Sequence, residues 1–186
     1  MIFKKTSFEL ASPIWLDKKE NEMNLTVLFE AHLSYSADSV LRICAQSCYQ
    51  VFINGAFVHS GPARAGRGCF RVDALPIGSY LRAGENTVHV LVSSYRCDNF
   101  YLVNQAPFFC AEVCQDGRTV CASGTDEWEA YIYEQRLQGV QRYSFQRTFC
   151  EVYDFTSLSP LCTRALTRAS IVTVYIDTYK IGRAHV

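Results

Sequence analysis

An all-β sandwich with little helix is the fold this sequence predicts, on three observations. Apolar side chains alternate with others at Leu25, Val27, Phe29, Ala31 and Leu33, and again at Val88, Val90 and Val92. That is the pattern of a strand with one face in a core. Asn54-Gly55 and Asp116-Gly117 each lie between apolar runs, and such dipeptides suit the type I′ turn, whose two central residues both take φ > 0. No stretch sustains a 3.6-residue period with capping residues at its ends. Short strands parted by Gly, Asn or Asp turns at regular intervals indicate a sandwich.

The elements follow in order. Lys18–Glu22 reads as a solvated turn before the strand Asn24–Ser34, which should be half-buried. Ser36–Ser39 is a second turn, and Val40–Ala45 begins the strand leading to the Asn54-Gly55 hairpin. With a two-residue turn, Ile53 pairs with Ala56, Phe52 with Phe57, Val51 with Val58 and Gln50 with His59. Val51, Ile53, Ala56 and Val58 then share one face, and Phe52 and Phe57 the other. Leu81–Asn86 reads as a turn launching the strand Thr87–Ser94. Phe108–Cys114 and Arg118–Ala122 form another hairpin, after which Thr125–Ala130 begins an irregular segment with Trp128 as a core or seam residue. Ser170–Asp177 alternates as a strand does, with partners expected beyond the chain.

Two stretches break the strand pattern and draw functional attention. Gly61–Gly68, GPARAGRG, is a loop that carries Arg64 and Arg67 away from the hairpin and returns at Cys69–Asp73. Loops on a rigid scaffold are where binding residues concentrate. Tyr95–Pro107 mixes flat rings with amide and guanidinium groups: Tyr95, Arg96, Asn99, Phe100, Tyr101, Asn104 and Gln105. Such groups hold sugars, and they also hold other domains. Gln138–Tyr153, QGVQRYSFQRTFCEVY, is similarly rich in Arg, Gln and aromatics.

Composition limits the alternatives. The 186 residues fit one domain with room for the start of a second. With 49% hydrophobic and 19% charged residues the chain can build a core. Its zero net charge gives no general attraction to nucleic acid or anionic membrane. No apolar run approaches the ~20 residues needed to span a bilayer. The start, MIFKKTSFELASPIW, has no apolar run of the signal-peptide kind, so a cytoplasmic location is expected.

The chemistry-bearing residues favour no enzyme. Nine cysteines contain no Cys-x-x-Cys pair, and Cys110 and Cys114 on one strand would stand about 13 Å apart, beyond disulfide reach. They read as small buried hydrophobes. No His or Cys pair shows metal-ligand spacing, and neither a metal nor a cofactor is expected. Asp126, Glu127 and Glu129 read as a solvated turn rather than the carboxyl pair, about 6.5–9.5 Å apart, of an inverting glycosidase. Nothing places His32, His59 or His89 beside an activated cysteine. The Gly61–Gly68 loop lacks the Gly-Lys-Ser/Thr ending of a phosphate loop. Without a longer basic stripe, its arginines do not suggest a nucleic-acid groove.

The succession Asn54-Gly55, Ser60-Gly61-Pro62-Ala63-Arg64, Arg71-Val72-Asp73, Leu81-x-x-Gly84-Glu85-Asn86 and Val88-x-Val90-x-Val92 resembles the N-terminal β-sandwich domain of bacterial α-L-rhamnosidase-type glycoside hydrolases. DNFYLVNQAPFFCAEV and VQRYSFQRTFCEVY are similar to segments that follow in that family, so the likeness covers roughly Ser12–Tyr153. The resemblance implies a jelly-roll, galactose-binding-like accessory domain of a longer enzyme. That enzyme would hydrolyse terminal α-L-rhamnosides with inversion, its acid and base lying in a downstream α/α barrel. No catalytic residue carries over. Arg64, Arg67, Asn99, Tyr101 and Gln105 carry over as candidate sugar-rim or domain-seam residues. The implied partners are a rhamnoside-containing glycan, met through the parent enzyme, and the catalytic domain; nucleic acid and membrane are not expected. A stand-alone carbohydrate-binding module of the same fold is the alternative.

The expected divisions are 1–155 for the sandwich, 156–179 for the start of a following segment or domain, and 180–186 for a tail. Lys180–Val186 reads as non-biological, since one back-translation begins a short-read sequencing adapter. The chain then reads as the truncated front of a longer protein.

Overall fold

The structure is a computed structural model, and it describes residues 8–154, 156, 166–174 and 180–182. In chain order the strands are β1 (Ile14–Leu16), β2 (Leu25–Ser34), β3 (Ser39–Gln46), β4 (Cys48–Ile53), β5 (Ala56–Gly61), β6 (Cys69–Arg71) and β7 (Asp73–Pro76). There follow β8 (Glu85–Ser94), β9 (Phe108–Gln115), β10 (Arg118–Ala122), β11 (Glu129–Ile132), β12 (Thr167–Arg168), β13 (Ile171–Thr173) and β14 (Lys180–Gly182). Among the described residues helix is limited to a single 3-10 turn, Gly78–Tyr80.

Two antiparallel six-stranded sheets face each other. One runs β13-β1-β9-β3-β7, with β10 also on β9, and the other runs β12-β11-β2-β8-β4-β5. β14 pairs in parallel with β6, apart from both. The predicted alternation builds the core: Val27, Phe29 and Ala31 of β2 lie opposite Val92, Val90 and Val88 of β8, all fully buried. They meet Leu41, Ile43, Phe109, Ala111 and Val113 of the other sheet. Phe29 stacks on Phe109 with centroids 4.2 Å apart, and Trp128 closes on Phe109 edge-to-face at 4.9 Å, a core residue as expected. Trp128 precedes a regular strand, β11, where an irregular segment is expected from the sequence.

β2 is covered on both faces rather than half-buried. Leu28 is buried on the outer side with Leu91, Tyr131 and Tyr133. β11 supplies Tyr131 to that side, so the alternation of β2 understates its burial.

Both Gly-containing turns form. Asn54 and Gly55 have φ of 51° and 81°, and Asp116 and Gly117 have 50° and 76°. The β4–β5 register departs from simple continuation. Ile53↔Ala56 and Phe52↔Phe57 pair as expected, but then Val51 faces His59 and Gln50 faces Ser60. The shift leaves Val58 as the extra residue of a bulge. Ala56 is exposed and Val58 only half-buried, because β5 is the sheet's edge.

The expectation that the late strand finds its partners beyond the chain is corrected. β13 pairs with β1, Ile14↔Thr173 through Leu16↔Ile171. Three residues of β1 form a partner too short for alternation to reveal. Residues 175–177 of that predicted strand lie outside the described residues, as do 157–165 and 183–186 of the later expected divisions.

Two buried polar clamps fix the frame. Glu112 has no exposed surface; its Oε2 accepts the N–H of Glu9, Leu10 and Ala11 at 2.9, 3.2 and 3.3 Å, and its Oε1 accepts Arg42 Nη1 at 2.9 Å. Asn86, also fully buried, donates Nδ2 to the carbonyls of Arg82 (2.9 Å), Gly84 (3.1 Å) and Leu33 (3.4 Å). Its Oδ1 accepts Asn54 Nδ2 and the Arg82 N–H, both at 2.8 Å. The Gly84-Glu85-Asn86 stretch thus ties a turn to the Asn54-Gly55 hairpin.

Candidate functional site

Three irregular segments meet at one end of the sandwich: 62–68 between β5 and β6, 95–107 between β8 and β9, and 141–149 in the connection after β11. Irregular backbone cannot satisfy itself, so side chains must do so. Arg64 Nη1 donates to Phe100 O at 2.8 Å, joining the first two segments. Gln105 Oε1 accepts the Gly68 N–H at 2.7 Å. Asn99 Oδ1 accepts the N–H of Tyr101 and Leu102 at 2.8 and 3.0 Å, the local turn that Asn favours. Arg96, at φ 50°, reaches Asn104 Oδ1, Gln105 O and Asn21 Oδ1.

The third segment is held by Arg142, whose donors reach the carbonyls of Asp98, Phe145 and Arg147 at 3.0, 2.7 and 2.9 Å. Arg147 lies over the Tyr101 ring, 5.6 Å from its centroid, and Nη1 donates to the Tyr101 hydroxyl at 3.3 Å. Phe100 and Phe145 meet edge-to-face at 6.4 Å. The rings are exposed nonetheless: Tyr143 by 84%, Phe145 by 74%, Phe100 by 63% and Tyr101 by 53%. Buried area that four rings would gain against a partner is therefore open.

Four of the five predicted residues gather here. Arg64, Asn99 and Tyr101 line an open groove of about 330 Å³. Gln105 lines an adjoining recess with Arg64 and Tyr101, about 30 Å³ and too small for a sugar ring. Arg67 sits exposed on the same loop, with no ion pair or side-chain hydrogen bond among the described residues. Phe100, noted among the rings of 95–107, joins the cluster with Arg142, Phe145 and Arg147, which the sequence marked only through the RYSFQR run, in which two arginines flank aromatics.

A second concavity, about 520 Å³, lies beside β4 and β5 and is lined by Gln50, His59, Arg71, Tyr95, Glu151 and Tyr153 among others. At its wall Tyr49 Oη donates to Asp73 Oδ2 at 2.5 Å, and Arg71 Nε pairs with Asp73 Oδ1 at 2.7 Å. Burial, then the Asp73 hydrogen bond, pushes the Tyr49 hydroxyl far above its ordinary range, so it stays a neutral donor. A Cβ on Gly61 would stand 2.7 Å from that hydroxyl, which explains the glycine before Pro62. Burial likewise pushes the Tyr95 hydroxyl up to about 12. Buried Arg136 lies 5.4 Å from the Tyr95 ring centroid and donates to Asn24 Oδ1 and Thr26 Oγ1, both at 3.0 Å.

The acidic run behaves as surface. Asp126 and Glu127 are exposed, and Glu129 pairs with Arg168 at 2.7 Å and accepts the Tyr131 hydroxyl.

No protein-family model and no curated protein matches the chain. Solved structures do. The GH78-family rhamnosidase of Bacillus sp. GL1 shares 27% identity at a TM-score of 0.81, over 92% of this chain and 19% of that one. The α-L-rhamnosidase of Dictyoglumus thermophilum shares 13% at 0.63, over 95% and 22%. A Pleurotus ostreatus lectin shares 14% at 0.54, over 98% and 49%, a likeness of fold. The chain therefore spans about a fifth of the length of the rhamnosidases it matches, and its resemblance to them, first read from motifs, holds across its fold.

Proposed function

We propose that this chain is a non-catalytic domain of an α-L-rhamnosidase-like glycoside hydrolase, docked on the catalytic unit through its aromatic and arginine loop cluster. The parent enzyme would act on terminal α-L-rhamnosides. The likeness to a GH78 rhamnosidase over nearly all of this chain, at 27% identity against 13% for the Dictyoglumus thermophilum enzyme, carries the reading. The cluster supports docking over sugar contact. A sugar stacks on an open ring face, whereas the Tyr101 ring lies under Arg147 and the Phe100 and Phe145 rings stand edge-to-face. Aromatic and arginine side chains are those enriched where proteins meet.

Long-read sequencing of the source locus, paired with an assay of the chain on an aryl α-L-rhamnoside, tests the proposal. The expected result is a frame running on into several hundred residues of amphipathic helical hairpins, and no turnover by the chain alone. A frame without such a region, or turnover abolished by replacing a carboxylate of this chain, refutes it.

The concavity beside β4 and β5 favours a second reading, a carbohydrate-binding module. Gln50, Arg71 and Glu151 offer planar hydrogen-bonding groups beside the rings of Tyr95 and Tyr153, in a space that admits a monosaccharide. Calorimetric titration with L-rhamnose and D-galactose decides it: heats lost in Gln50→Ala and retained in Tyr101→Ala support this reading, and no heats reject it.

A further inference from the structure

We infer that the loop cluster is a docking surface for a protein face rich in carboxylates. This rests on the reading of the chain as a docked domain and names the chemistry of the surface opposite.

Charge is the first ground. Residues 61–68, 96–105 and 141–149 carry five arginines and one aspartate, in a chain whose net charge is zero. None of the five pairs with a carboxylate among the described residues; the ion pairs of the protein lie elsewhere. Arg96 and Arg142 are spent on loop carbonyls and amides. Arg64 uses one nitrogen, Arg147 one, and Arg67 none among the described residues. Three exposed guanidinium groups thus keep donors in a fork that fits carboxylate oxygens two at a time.

Arrangement is the second ground. Phe100 and Phe145 meet as an exposed apolar pair, with Arg64 on the Phe100 carbonyl and Arg147 over the neighbouring Tyr101 ring, while Arg67 stands exposed on the Arg64 loop. An apolar centre within a charged rim is the anatomy of a protein interface. A single-stranded nucleic acid would instead need a basic track leading away from the stacking rings, and the rest of the chain, which balances these loops to a net charge of zero, is net negative and supplies no such track.

Poly-L-glutamate serves as the carboxylate-bearing probe, with amide resonances of the full chain followed at low salt. The expected result is saturable shifts confined to the three loops, weakening as salt is raised. Affinity should fall about ten-fold in R67E/R147E and stay within about two-fold in R82E/R118E, which reverses two exposed arginines elsewhere. R67E alone, which removes no contact among the described residues, should lower it about three-fold with an unchanged circular dichroism spectrum. Equal weakening in the control, no shifts in the loops, or shifts there with an oligothymidylate or L-rhamnose in place of poly-L-glutamate would overturn the inference. A continuing hydrolase frame together with any of these outcomes removes the acidic partner face and leaves the domain reading standing.

Discussion

Replacing Glu112 by alanine strips one carboxylate of four hydrogen bonds at once. Three orphaned donors are backbone N–H groups of Glu9, Leu10 and Ala11, and the fourth is Arg42. The Glu112 hydrogen bond raises the pKa of Arg42, so the cation stays charged and must find another partner. Removing one member of a buried pair costs roughly 3–5 kcal/mol. Arg42 is 28% exposed and has Glu9 at 3.4 Å, so it can recover part of that. We therefore expect a loss near the lower bound, about 3 kcal/mol. At roughly 2–4 °C per kcal/mol for a chain of this size, Tm should fall by about 6–12 °C. Thermal unfolding by circular dichroism measures this, and hydrogen exchange at residues 9–11 reports the local release. E112Q should fall in between, because the amide keeps an acceptor for one side of the clamp and opposes donor to donor on the other. A Tm change under about 2 °C in E112A, with residues 9–11 still protected, refutes the clamp. So does zero coupling in the cycle with R42A.

Three further outcomes are expected. Asn86→Asp sets an acceptor against the carbonyls of Leu33, Arg82 and Gly84 and should cost about 2–4 kcal/mol by urea titration; a loss under about 1 kcal/mol would show that the turn does not depend on the clamp. Gly78→Ala puts a Cβ 2.0 Å from the Ala37 carbonyl oxygen, a backbone atom that must move, so about 2 kcal/mol or more should be lost, while Gly139→Ala meets nothing and should stay near neutral. Burial pushes the thiols of Cys110 and Cys121 up to about 12. The unfolded chain sheds these protons first, so this stability is whole below about pH 8.5 and drains away as pH rises towards about 12. A component of the folded protein's thiolate absorbance near pH 8.5–9 that disappears in C110A/C121A would contradict this.

Much of the fold was legible because its causes are local. Asn54-Gly55 and Asp116-Gly117 announce turns since both positions need φ > 0, and the alternation of Leu25–Leu33 requires a buried face whatever lies opposite. What escaped depends on neighbours distant in sequence. The Val58 bulge hides inside an unbroken apolar run, and the second cover over Leu28 comes from β11, a hundred residues on. β13 answers β1, and three residues carry too little pattern to advertise a partner. The candidate site divides the same way. Arg64, Asn99, Tyr101 and Gln105 stood out by residue type and do converge. Arg142 and Arg147 were visible as composition, yet their roles were not, since their partners include backbone carbonyls and a ring face that any sequence could offer.

The way Arg142 grips its loops has an evolutionary consequence. Its acceptors are the main-chain oxygens of Asp98, Phe145 and Arg147, which persist whatever side chains those positions carry. The shape of the surface is thereby uncoupled from its chemistry. Positions 145 and 147 can drift, trading ring for aliphatic or cation for amide, while Arg142 keeps its grip; position 98 is less free, since Asp98 Oδ1 also accepts the Asn104 N–H at 2.8 Å. A lineage could retune what this end of the sandwich meets through single substitutions, none of which has to rebuild the scaffold beneath.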